Sequence, residues 1–139
     1  MEPISLKGGR PRPARADLDG IVFLPRSIDK VRATLPGGDI SDYKIEGFTE
    51  QMLDNFGIKV EDFTKAVGAA STDADVVAYV RKNAKSGGID EWNGFVTKRE
   101  IYNGDRAEAL ADFPWLADHP ELVYSVDFLD YREQNGLDD

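Results

Sequence analysis

Apolar residues recur along this chain at helical spacing, and turn residues punctuate the stretches between them. Ile28, Val31 and Leu35 fall at i, i+3 and i+7, which predicts a helix capped by Ser27 and stopped by Pro36-Gly37-Gly38. Phe48, Met52 and Phe56 are four apart and Gly57 follows as a C-terminal signal; Val60, Phe63 and Val67 form the next stripe. Thr72 and Asp75 make a capping box for a helix with Val76, Val77, Val80 and Ala84 on one face, ended by Ser86-Gly87-Gly88. Asp90 can cap a helix carrying Trp92, Phe95 and Val96, and Asp105 opens a run through Leu110 that breaks near Pro114. Pro120 reads as the first-turn proline of a last helix that runs to about Gln134, with Gly136 closing it. Only Ile21 to Leu24, stopped by Pro25, interrupts the helical pattern. The expected class is all-α: a compact irregular bundle of about six or seven short helices. Residues 1–20, with three prolines and three glycines, form an irregular N-terminal arm, and residues 21–139 form a single helical domain.

Composition narrows the chemistry. At 139 residues and 41% hydrophobic content the chain can fill one core. Cysteine is absent, which excludes disulfides and thiolate metal centres, and a single histidine, His119, removes most zinc sites. No apolar run approaches the ~18 residues of a membrane span, and MEPISLKGGRPRPAR lacks the apolar stretch of a signal peptide. A cytoplasmic protein with no membrane partner is the expectation. Charge is lopsided: residues 1–32 carry a net +3 and residues 33–139 a net −12. So acidic a body repels phosphates at long range, so no nucleic-acid partner is expected.

The common catalytic templates (GxGxxG, GxxxxGK[ST], HExxH, CxxC and EF-hand spacing) are missing, so catalytic residues stay unassigned and neither cofactor nor metal is expected. His119, in Asp118-His119-Pro120-Glu121, reads as a turn residue, with acid–base work as the sharper alternative. The anion-binding candidates are Arg26, Ser27, Arg32 and Arg99. A helix beginning at Ser27 would aim its unpaired amides at an anion beside Arg26. On that helix Arg32 lies about 40° from Ile28, flanking the apolar face, while Lys30 at about 200° points to solvent. Arg32 then either staples the arm to the acidic body, with Asp29 or another acid as partner, or helps to bind an anion. Arg99, projected on the helix of Trp92, emerges amid Phe95 and Tyr102, where it stacks or lines a pocket. The last helix is apolar on two sides: Leu122, Val126 and Leu129 on one, Tyr124, Phe128 and Tyr131 on the other. It is either sandwiched between layers, or Tyr124, Phe128 and Tyr131 form a partner or dimer surface. Asp127, Asp130 and Glu133 on the same helix read as a solvated rim.

The segment Leu24-Pro25-Arg26-Ser27-Ile28-Asp29-Lys30-Val31-Arg32-Ala33, with Gly104-Asp105-Arg106-Ala107-Glu108-Ala109 leading to Phe113-Pro114-Trp115-Leu116, resembles a small bacterial family of unknown function. The resemblance spans most of residues 10–130 and implies a stand-alone bacterial domain with no activity to carry over. Three classes of function remain: a non-enzymatic module that binds a protein partner or itself, a site or modest enzyme for a small phosphate or carboxylate compound, and an acidic decoy for a basic partner.

Overall fold

The apolar stretch before Pro25 sets the geometry of everything after it. In the computed structural model, which describes residues 1–137, Asp17–Leu18 (β1) and Ile21–Val22 (β2) pair antiparallel with Leu18 opposite Ile21. Phe23 then turns the chain at φ 75°, a left-handed conformation that costs a bulky residue about 1–3 kcal/mol. Its ring is fully buried and its amide and carbonyl bond Ala16 O and Ser27 N, so packing and backbone pairing hold the turn. The first helix, α1, runs Leu24–Thr34 and begins three residues before the predicted start. Pro25 is in its first turn, where a missing N–H costs nothing and the fixed φ is already helical. Ser27 is accordingly an interior residue: its hydroxyl meets Thr49 at 2.9 Å, and both are fully buried.

Six further α-helices follow: α2 (Phe48–Phe56), α3 (Val60–Ala69), α4 (Asp73–Asn83), α5 (Gly88–Val96), α6 (Arg106–Asp112) and α7 (Ser125–Asn135). Short 3-10 turns lie at Ile101–Gly104 and Pro114–Asp118. The class is all-α, with one small ladder. The Thr72/Asp75 capping box is present, and Gly57 ends α2 in the left-handed region. At Gly88 a Cβ would stand 2.5 Å from the Asn55 carbonyl oxygen, so the end of α2 presses directly on the start of α5.

Two apolar clusters form. The larger gathers α1 to α5 around Phe23, Phe56, Phe63 and Trp92, with Phe23, Phe48 and Trp92 packed edge to face and Trp92 Nε1 donating to Val22 O at 2.7 Å. The smaller comprises Ile101, Ala109, Leu116, Leu122 and Phe128, flanked by Phe113, Trp115 and Tyr131. Val126 and Leu129 of α7 face the first cluster and Phe128 and Tyr131 the second, so α7 is sandwiched between layers. It starts at Ser125, five residues after Pro120, because Tyr124 is extended and bridges Glu100.

The arm is strapped across this body by residues from its whole length. The Met1 ammonium donates to the carbonyls of Val67, Gly68 and Ala70, Leu6 N bonds Asp39 O, and Arg10 bonds Glu133 O. Arg12 pairs with Asp29 and Asp73; the Ala14 and Arg15 amides bond Asp130, and the Arg15 guanidinium bonds Asp127. Four acids are thus engaged by the basic arm, three of them (Asp73, Asp127 and Asp130) in the acidic stretch 33–139. Asp127, Asp130 and Glu133 are all partly covered by these contacts, not a solvated rim.

Candidate functional site

Helix α1 is buried on nearly all sides, because the arm lies over the face a one-sided helix would leave wet. Its charged residues therefore enter the interior: Arg26 is 1% exposed, Asp29 7% and Lys30 9%. Lys30, which projection placed in solvent, is the largest correction to the sequence reading. Asp29 accepts from the Arg12 backbone amide at 2.8 Å and from its guanidinium, which also grips Asp73 on α4 at 2.8 Å. That second contact holds the Asp73 carboxyl below the usual carboxylate range.

Arg26 forms a two-pronged pair with Glu133 of α7, donates to Arg12 O at 3.2 Å, and lies over the rings of Phe23 and Tyr43 at 5.9 and 5.8 Å. Its remaining donor, Nε, is buried with no partner. Lys30 stands one helical turn on, its ammonium 5.7 Å from the same Phe23 ring. Among the described residues no acceptor lies within hydrogen-bonding distance of that ammonium. Burial first, and then the neighbouring Arg26 charge, push its pKa down to about 8, with Glu133 opposing.

A solvent-open cleft lies against this cluster as two adjoining depressions of about 410 and 440 Å3. Both are lined by Gly8, Gly9, Tyr43 and Glu133; Arg10 borders one, and Ser41 and Asp42 the other. Tyr43 and Glu133 thus face the cleft on one side and the Arg26 side chain on the other. Gly8 and Gly9 supply a wall without side chains, and the Tyr43 hydroxyl reaches Gly9 O at a long 3.4 Å.

The other predicted residues lie elsewhere. Arg32 donates to Glu2 O at 2.8 Å and so staples the arm, through a backbone carbonyl and not through Asp29. Arg99 follows α5, which ends at Val96, so the helical projection that set it amid aromatics does not apply; it rests 5.8 Å over Phe95 alone. Arg26, Arg32 and Arg99 share no contact, and Ser27 is sealed in the core. Of Tyr124, Phe128 and Tyr131, Tyr124 is 38% exposed, Phe128 is buried, and Tyr131 is half-buried and stacked on Trp115, so the three make no single open stripe. His119 accepts or donates at Tyr131 Oη (2.9 Å) and Glu121 (3.2 Å) beside Trp115. Sequence reasoning passed over Lys30, Glu133, Arg12 and Tyr43; the available signal was the Arg26/Lys30 spacing of four within one short segment.

A test of the burial of Lys30 follows from its proton balance. The folded state holds Lys30 at about 8 against an ordinary 10.5, so between those values the unfolded chain binds more protons and stability rises with pH. The full cost of the charge is present below pH 8. Lys30→Met should therefore stabilise the domain at pH 7 by about 2–3 kcal/mol, a gain that fades as pH climbs towards 10.5. Thermal midpoints of both proteins across that range check it, and a gain independent of pH would refute the desolvated ammonium.

Among the described residues no helix is long and apolar enough to cross a membrane. No curated protein matches the chain. A family model described as a domain of unknown function, DUF5069, matches residues 9–135, which takes in the arm from Gly9, the α1 cluster, Tyr43 and Glu133. The chain belongs to that family of domains of unknown function.

Proposed function

We propose that this domain binds a small carboxylate- or phosphate-bearing compound in the cleft between the arm, Tyr43 and Glu133. The observation that carries the reading is the positive charge gathered behind the cleft wall: Arg26 Nε is buried without a hydrogen-bond partner, and Lys30, one turn on, lies against the Phe23 ring with the Arg26 charge as neighbour. A buried charge without a partner is costly, and leaving a guanidinium N–H unsatisfied adds about 1–3 kcal/mol. Neither group lines the cleft, whose walls include Gly8, Gly9, Tyr43 and Glu133; their charge would act on a bound anion from behind that wall, with Arg10 at the rim to draw it in. The cleft volume suits a compound of metabolite size. Binding to a protein partner has less support, since Tyr124, Phe128 and Tyr131 are divided between solvent and core.

Thermal unfolding against a panel of small carboxylates, inorganic phosphate and sugar phosphates tests this. A binder at about 100 times its Kd contributes about 2.7 kcal/mol and moves the midpoint by several degrees. That shift should vanish in Lys30→Met, which keeps its own fold. A flat panel for the unaltered chain, or an equal shift in the variant, would overturn the proposal.

A further inference from the structure

A second cleft, of about 220 Å3, is lined by Glu100, Ile101, Gly104, Arg106, Pro120 and Val123, none of which borders the cleft beside Tyr43. We propose that it binds a free α-amino acid with a small apolar side chain, the carboxylate at Arg106 and the ammonium at Glu100. A run of unusual backbone brings the two charges to one space. Tyr102 and Asn103 both take left-handed conformations, at φ 52° and 55°, and Gly104 follows at 92°. The chain reverses there, so that Glu100 and Ile101 line the same cleft as Gly104 and Arg106. Such a conformation strains a tyrosine and persists only where neighbours impose it, as they do around ligand sites. Here Tyr102 Oη donates to Asp112 at 2.6 Å, Ile101 N to Val123 O at 2.9 Å, and Ser125 Oγ to Glu100 O at 3.2 Å.

Both charges are open. The Glu100 side chain is exposed and meets no cation among the described residues. Arg106 is half-buried and commits three of the five guanidinium N–H groups to the carbonyls of Leu116, His119 and Leu122. Those carbonyls fix its orientation without neutralising it. Arg12, Arg15 and Arg26 each have a carboxylate partner; among the described residues Arg106 has none. Its Nε is taken up by no carbonyl and, unlike that of Arg26, is not sealed from solvent. A simple anion in this cleft would face Glu100, and a simple amine would face Arg106. A molecule carrying both charges satisfies both walls, with donor and acceptor already in place. Ile101, Pro120 and Val123 complete the lining, so the rest of the ligand is apolar. It is also small, since the cleft holds the equivalent of about seven water molecules at about 30 Å3 each.

Isothermal titration of the full chain with L-valine, isovalerate and isobutylamine tests the assignment, the last two being valine without its amine and without its carboxylate. Valine should bind at least about tenfold more tightly than either analogue, because each lacks one charge-assisted contact. Glu100→Gln should lower valine affinity to that of isovalerate and leave the ligand-free thermal midpoint unchanged, since the side chain it alters is exposed. Lys30→Met should leave valine affinity as it is, which separates this cleft from the one beside Tyr43. No heat from valine at millimolar concentration, equal binding of the three compounds, or full affinity in Glu100→Gln would overturn the proposal. So would a valine response lost in Lys30→Met, which would place the ligand in the first cleft.

Discussion

Arg26→Ala is expected to destabilise the domain by about 3–5 kcal/mol, the range for removing one member of a buried ion pair. The Arg26 and Glu133 side chains are 2% and 12% exposed, so the loss strands a carboxylate that water reaches poorly. Asp130 lies nearby in the coverage of the same arm, and burial already pushes its carboxyl upward. Truncation also empties the space between the Phe23 and Tyr43 rings and cuts the tie to Arg12 O. The cost of burial makes a second outcome specific: Arg26→Met combined with Glu133→Leu should recover most of the loss, because apolar side chains of similar size need no partner. Urea unfolding of the single and double variants measures both. A single variant within about 1 kcal/mol of the unaltered chain would contradict the description of the pair as buried.

Trp92→Ala is expected to cost as much, about 3–5 kcal/mol, through the cavity it leaves among Phe23, Phe48 and Phe95. The indole also satisfies Val22 O, whose loss of a partner adds to the cost and loosens the ladder that sets up Phe23. Trp92→Phe separates the two contributions: it keeps a ring in the core and forfeits the N–H, for about 1–3 kcal/mol. Chemical denaturation followed by the fluorescence of Trp115, the other tryptophan, reports the outcome. An alanine variant as stable as the phenylalanine one would mean that the site collapses without a cavity.

Local signals carried the middle of the chain. The Phe48/Met52/Phe56 stripe with Gly57, and the Thr72/Asp75 box, each specify a helix by bonds made within it, and each is found where its residues predict. The misreadings occur where a distant segment decides. Pro25 looked like a stop to an apolar run; the Phe23 turn, held by Ala16 and the aromatic core, makes it a helix start. Pro120 looked like a start, but the bridge between Tyr124 and Glu100 keeps the next residues extended. Lys30 looked wet because a helical projection knows one apolar face, and nothing periodic announces that residues 1–15 will cover the other. The same blindness hid the cleft, whose walls come from the arm, the Tyr43 loop and α7. Only the α1 side of the site, Arg26 in particular, was legible beforehand.

The strapping of the arm also fixes an order of events during synthesis. The Ala14 amide is bonded to Asp130, 116 residues later, and the Arg10 guanidinium to Glu133 O, 123 residues later. An all-helical chain ordinarily folds fast because its contacts are local, whereas these closures join the first segment made to the last. Helices α1 to α5 can gather as they leave the ribosome, but until α7 appears the Arg10-to-Arg15 stretch of the arm is held through Arg12 alone, by Asp29, Asp73 and the Arg26 guanidinium. Arg26 waits equally long for Glu133, so its guanidinium lacks its carboxylate partner until the end, and assembly of the cleft marks the completion of the fold.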